Sequence, residues 1–229
     1  IVTAWSLGRS WNYRYKSQET VSVTGLSSKN FTSDLIVWNG SYSRKNLDLK
    51  NAYSQLKADE RDLRKYFISK GISEKEIVFS SIAIDKQYTY RYDENGRQTG
   101  QDFSGYNLTQ RVTVESKEIE RVEEVSRQVT ELIEQGIEFY SSEPSYFFTK
   151  LADLKLDLLA NAASDARRRA ETIAKNSGTE IAGVRKASMG VFQIIGQNSS
   201  EDFSYGGAFN TESKNKTATI TIRMEFQLD

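Results

Sequence analysis

The side chains that could carry out chemistry in this chain of 229 residues are carboxylates and aromatic hydroxyls, because the chain contains no histidine and no cysteine. Most zinc sites, thiol nucleophiles and imidazole bases depend on those two residue types. We therefore assign no metal ligand, no cofactor and no catalytic residue from the sequence.

Carboxylates are dense at Glu118, Glu120, Glu123 and Glu124. A pair of carboxylates can act as general acid and general base in glycoside hydrolysis. The same density is typical of a solvated helix surface, which is the interpretation we favour. A carboxylate-based hydrolase acting on glycans is accordingly the alternative function.

Tyrosines recur at every second residue in one segment, at Tyr88, Tyr90 and Tyr92. On a strand they share one face, where they could form an aromatic platform that binds a sugar or a peptide. More often such a ladder packs against a neighbouring strand or helix. Both interpretations stay open at the level of the sequence.

A polar segment with several glycines, residues 196–216, carries the aromatic side chains of Phe203, Tyr205 and Phe209. Exposed aromatic residues in such a loop are natural anchors for a partner. The alternative is a long hairpin connection without a binding role. Among all the features of the sequence, this loop is the interaction site that we prefer.

Charge argues against a nucleic acid partner. Lysine plus arginine and aspartate plus glutamate each number 31, so the formal net charge is zero. Nucleic acid binding usually requires a basic field over the domain or over one of its faces. We therefore expect no nucleic acid partner.

Hydrophobic periodicity predicts three helices, and each stops at a glycine that can adopt the left-handed conformation of a helix end. The predicted helices and their glycines are 47–70 with Gly71, 118–135 with Gly136, and 149–177 with Gly178. On the second helix we place Leu132 and Ile133 on the apolar stripe.

Strands are predicted where apolar and polar residues alternate, most clearly over 217–228 and 106–114, with longer strands over 34–43 and 77–92. Asn95 and Gly96 predict a hairpin turn. Half-solvated strands indicate a mixed, largely antiparallel sheet with helices packed on one face, which is an α+β fold.

The order strand, helix, Gly-Ile, strand occurs over 35–84 and again over 106–140, which suggests a duplicated βαβ-like unit. We see no linker that divides the chain after the first residues, and assign 19–229 to one domain. Residues 1–18 form an N-terminal arm, which we expect to be the stub of a signal anchor because a short apolar run precedes aromatic and basic residues. The alternative is an ordinary N-terminal helix or arm.

Several of these segments, taken in order, resemble the SIMPL-domain proteins, which include bacterial periplasmic immunogenic and oxidative-stress-defence proteins. The matching segments are Val21-Ser22-Val23-Thr24-Gly25, Gly71-Ile72, Gly105-Tyr106, Gly136-Ile137 and the alanine-spaced helix that ends at Gly178. The resemblance covers residues 19–229, and the family has no catalytic motif to carry over.

This resemblance implies an exported protein that is periplasmic or held by an N-terminal segment, without established enzymatic activity and with a tendency to form oligomers. We therefore predict a non-enzymatic extracytoplasmic cell-envelope protein that acts by self-assembly or by binding a partner. A homo-oligomer is the first partner that we expect, and an envelope protein or a glycan the next. Contact with the membrane is expected only through the N-terminal transmembrane segment.

Overall fold

The computed structural model describes residues 19–200 and 206–229. Its α-helices are α1 (Leu49–Ser69), α2 (Ile119–Gln128) and α3 (Leu151–Asn176), with 3-10 helices at Glu74–Glu76 and Val129–Gln135. Its strands are β1 (Thr20–Thr32), β2 (Leu35–Asn46), β3 (Ile77–Phe79), β4 (Ala83–Tyr92), β5 (Gln98–Ser116), β6 (Phe139–Ser141), β7 (Ser145–Phe147), β8 (Ile181–Met189), β9 (Gln193–Gly196) and β10 (Asn215–Leu228). The predicted α+β fold class is confirmed.

The chain divides into two compact units. One is residues 33–147, and the other consists of residues 19–32 with the described residues from Phe148 onward. The assignment of 19–229 to a single domain stays a prediction. Within the described residues, no helix is both long and apolar enough to span a membrane.

The unit 33–147 is built on one antiparallel sheet with the strand order β3-β5-β2-β6, to which β4 adds along β5 and β7 along β2. Helix α1 connects β2 to β3, and both strands pair antiparallel with β5, which lies between them. Helix α2 connects β5 to β6, and both of these strands pair antiparallel with β2, which lies between them. Two interleaved split βαβ units result, as the predicted duplication requires.

Both helices of this unit pack on one face of the sheet. Helix α1 buries Ala52, Leu56, Leu63 and Phe67 in the same core as Trp38 of β2. Burying one large apolar side chain contributes about 1.5–3 kcal/mol, so this face dominates the stability of the unit.

Left-handed glycines end the helices where the sequence predicts them, with φ of 87° at Gly71, 73° at Gly136 and 75° at Gly178. The predicted helix 118–135 is wrong as one α-helix, because α2 ends at Gln128 and a 3-10 helix follows. A 3-10 helix has about three residues per turn, so Val129 and Leu132 both face the core while Ile133 is exposed.

The predicted strand 77–92 is also wrong as one strand, because it divides into β3 and β4. The register with β5 shifts by one residue between Phe79 and Ala83. At this break the buried side chain of Gln110 donates from Nε2 to the carbonyl oxygen of Ser80 at 2.8 Å. The side-chain bond thus supplements the backbone bond from the N–H of Ser80 to the carbonyl oxygen of Arg111 at 2.9 Å.

In the second unit, helix α3 covers one face of the sheet β1-β10-β8. The predicted alternation along β10 is confirmed, with Ala218, Ile220, Ile222, Met224 and Phe226 buried. The alanine face of α3 lies so close to β1 that a Cβ at Gly25 would overlap the carbonyl oxygen of Ala162 and lie 2.6 Å from the nitrogen of Ala166.

One N–H group on the outer edge of β1 bonds to a side chain of α3. The backbone N–H of Leu26 donates to Oδ2 of Asp165 at 3.1 Å, and Arg168 and Arg169 contact the same carboxylate at 2.8 and 2.7 Å. The Leu26 N–H, followed by Arg168, holds the pKa of Asp165 below its ordinary value.

We predict that Gly136→Ala lowers the free energy of unfolding of the unit 33–147 by about 1 kcal/mol, because alanine is strained at positive φ. No atom lies within 4 Å of the added Cβ, so the loss reports backbone conformation alone. The matched control is Gly183→Ala, where the added Cβ also has open space and φ is not left-handed. Urea unfolding followed by circular dichroism checks this, and equal effects of the two substitutions would contradict it.

We predict that Asp165→Asn destabilises the protein at pH 7 and that the difference from wild type disappears as the pH falls below about 4. A carboxylate whose pKa is lowered by folding stabilises above its unfolded pKa, and this stabilisation is lost as the pH falls through the folded pKa. Urea unfolding at pH 7, 5 and 3 measures it, with the exposed Asp62→Asn as control. A difference independent of pH would refute this role.

Candidate functional site

The candidate site is the hairpin formed by β4 and β5, which pair from Ala83 with Thr109 to Tyr92 with Gln98. Every residue of β4 except Gln87 is exposed. The predicted turn at Asn95 and Gly96 is confirmed, and the turn holds its shape because the carboxylate of Asp93 accepts from the N–H groups of Asn95 and Arg97 at 2.9 and 2.8 Å.

The hairpin leaves the core at Gly105. This buried glycine has φ of 130°, and an added Cβ would lie 2.9 Å from the carbonyl oxygen of Asn46. The register then shifts, because Gln87 pairs with Gly105 but Tyr88 pairs with Phe103, and Ser104 is skipped. Such a bulge bends a strand and increases its twist.

Aromatic side chains line one face of the hairpin. Tyr88, Tyr90 and Tyr92 are 40%, 49% and 62% exposed, and Tyr88 lies opposite Phe103. The ring of Phe103 lies 6.0 Å from that of Tyr88 and 5.0 Å from that of Tyr106, which packs against the core. The row of aromatic rings therefore begins at the core and continues outward into solvent. We call Tyr88, Tyr90, Tyr92 and Phe103 the aromatic face.

The opposite face of the hairpin is polar. It carries Thr89 opposite Asp102, and Nε of Arg91 lies 3.0 Å from Oδ2 of Asp102. This exposed ion pair contributes little to stability. The hairpin is thus amphipathic, although in the described part of the chain no helix covers its apolar side.

The rings of the aromatic face are not coplanar. The planes of Tyr88 and Phe103 meet at 75°, and those of Phe103 and Tyr106 at 67°. Edge-to-face contacts of this kind stabilise an irregular apolar ridge. Tyr88 and Phe103 therefore form a ridge and not one flat surface.

Sequence reasoning missed Phe103, although a signal for it was present. If a hairpin is centred on Asn95 and Gly96, Tyr88 pairs with the residue at 103, and the structure has this pair. The aromatic face is therefore made by both strands of the hairpin.

The predicted loop site is described only in part, because Phe203 and Tyr205 lie outside the described residues. Phe209 is 61% exposed, and its ring lies 6.2 Å from that of Phe192. Its segment is bound to β9, since Ile194 N donates to the carbonyl oxygen of Ala208 at 2.7 Å. Phe209 belongs to a different unit from the aromatic face, so these predicted residues do not form one described cluster.

The acidic run on α2 has the environment of a solvated helix surface. Glu118, Glu120 and Glu124 are exposed, and the carboxylate of Glu123 accepts from the hydroxyl of Tyr146 at 2.9 Å. In the described ranges, no group of three or more acidic side chains is arranged to hold a metal ion.

An open depression of about 780 Å³ in the second unit contains the carboxylates that a hydrolase could use, namely Glu171, Glu180 and Asp229. Glu171 forms an ion pair at 2.8 Å with Arg167, which also lines the depression. A general acid needs a raised carboxyl pKa. In the described residues, folding lowers the pKa of four carboxyl groups, those of Glu60, Glu131, Asp157 and Asp165.

Comparison with known proteins yields a family. A family model described as SIMPL, a protein of unknown function (DUF541), matches residues 21–227 and so spans both compact units. No curated protein matches the chain.

Proposed function

Since the chain belongs to the SIMPL family, we propose that it is a non-enzymatic extracytoplasmic cell-envelope protein that works by binding other protein surfaces. The surface is that of a second copy in self-assembly, or that of an envelope protein. The observation that carries this proposal is the aromatic face of the β4–β5 hairpin.

The size of the aromatic face supports a binding role. A fully buried aromatic side chain removes about 150–250 Å² from water, so four half-exposed rings present roughly 400 Å². Contiguous apolar patches of this size on a soluble protein are often functional. A face that had only to keep the hairpin soluble would carry polar residues, as the opposite face does.

The composition of the aromatic face favours a protein ligand. Tyrosine and phenylalanine are enriched at protein interfaces, because a rigid ring buries much area at a small entropic cost. The hydroxyl groups of Tyr88, Tyr90 and Tyr92 can also bond to a partner backbone. The rings of Tyr88 and Phe103 meet at 75° and so do not form one flat platform.

The area also limits the strength of the contact. A stable interface buries about 800 Å² on each partner, roughly twice what the aromatic face provides. A contact through the hairpin alone is therefore weak and reversible. A tight assembly requires a second surface, for which the segment around Phe209 is the candidate.

We predict that Tyr88→Ser combined with Tyr90→Ser weakens self-association by at least about tenfold, because each lost ring is worth about 1 kcal/mol or more. Sedimentation velocity over a concentration series measures the association. Thr89→Ala, on the polar face between the two tyrosines, is the matched control and should associate as wild type does.

Circular dichroism must show that the double variant is folded, which we expect because both side chains are exposed. A wild-type protein that stays monomeric at millimolar concentration would refute self-assembly. A variant that associates as strongly as wild type would refute the role of the aromatic face.

A further inference from the structure

Strand β8 is an open sheet edge in the unit of residues 148–229. It pairs with β10 on one side, and no strand of the described residues pairs with it on the other. On the opposite side of the sheet, Asp165 accepts from one N–H of β1. The segment around Phe209 pairs with β9. All of β8 after Ile181 is exposed.

The hydrogen bonds of β8 show which peptide groups point outward. The N–H of Gly190 donates to the carbonyl oxygen of Thr221 at 2.8 Å, so these two residues form a hydrogen-bonded pair. Bonded and non-bonded pairs alternate in an antiparallel ladder. The peptide groups of Met189 and Ala187 are therefore directed to the open edge, where an incoming strand can bond to them.

Apolar side chains next to this edge lack a cover. Val184 and Met189 pair with buried residues of β10, yet each is about half exposed. Helix α3 buries the middle of the sheet and leaves β8 uncovered. An added strand would remove part of this apolar surface from water.

Charge determines which strand can bind. Arg185 and Lys186 lie at the centre of β8, and neither has a carboxylate within 4 Å among the described residues. Lys186 also lines a depression of about 380 Å³ with Arg223 and Glu225. The carboxylates of Glu180 and Asp229 lie at the start of β8. An acidic segment is therefore attracted only to the second half of β8.

Two copies of β8 are poorly suited to each other, because their pairing would place four cations along one short ladder. The register shifts next to Phe226 also restrict regular pairing to the part from Lys186 onward. We propose that β8 binds an extended, acidic segment of another protein by strand addition. This site lies in a different unit from the aromatic face and does not depend on it.

The test uses a fluorescein-labelled nine-residue peptide of alternating valine and glutamate, and the same peptide with lysine for glutamate. Fluorescence anisotropy with the full chain should show at least about tenfold tighter binding of the glutamate peptide. Binding should weaken as salt rises, because the attraction is between exposed charges.

Two variants and one control locate the site. Ala187→Pro removes an outward N–H without breaking a bond to β10, and Lys186→Glu reverses the charge, so each should weaken binding by about tenfold or more. Lys65→Glu, on the exposed surface of α1, should bind as wild type does. If Ala187→Pro fails to fold, peptide binding by Lys186→Glu still tests the proposal.

Equal binding of both peptides, or unchanged binding to both β8 variants, would overturn the proposal. It would also be overturned if light scattering showed a wild-type dimer that Ala187→Pro converts to a monomer, because a second copy would then occupy the edge. Loss of peptide binding in Tyr88→Ser with Tyr90→Ser would assign the peptide to the hairpin instead.

Discussion

Large apolar side chains in this protein are buried mainly where a helix covers the sheet, and strand β5 is longer than either helix that packs on its sheet. Strand β5 has 19 residues, or about 60 Å, whereas α1 has 21 residues, or about 30 Å, and α2 has 10 residues, or about 15 Å. The half of β5 near Val112 therefore lies in the core, and the half near Gln101 lies in solvent. The hairpin is exposed because no helix of the described residues packs on it.

In the second unit, the limit is the width of the sheet that one helix can cover. The alanine face of α3 lies on β1 and β10, in close contact at Gly25. A helix over these two strands covers little of the sheet beyond them, and β8 stays exposed. Both units therefore present uncovered strand surface next to a well-packed core, which suits a protein that works through contacts.

Much of the fold is predictable from local signals. The left-handed glycines at the helix ends follow from backbone conformation, and the structure has them. The alternation along β10 follows from the burial of one face of the strand, and the structure has this too. Other features depend on tertiary contacts that one segment does not reveal. The change to a 3-10 helix at Val129 depends on which side chains the core buries. The strand break beside Ser80 depends on the hydrogen bond from the side chain of Gln110. The row of tyrosines can be recognised in the sequence, whereas the solvent exposure of its side chains depends on where the helices end.

The boundary between the two units also escapes sequence reasoning. It falls between Thr32 and Ser33 and between Phe147 and Phe148, without glycine-rich or proline-rich linkers. Strand β2 begins only three residues after β1 ends, so composition does not change there. The aromatic face and β8 consequently belong to separate compact units.

The most direct test of the central claim places a photo-crosslinking benzoylphenylalanine on either face of the hairpin in the full chain. One protein carries it in place of Tyr90, on the aromatic face, and the other in place of Thr89, on the polar face. If the aromatic face is the contact surface, irradiation in the native cell yields a discrete crosslinked product at position 90 and little or none at 89. Equal crosslinking at both positions, or none at 90, would contradict the account.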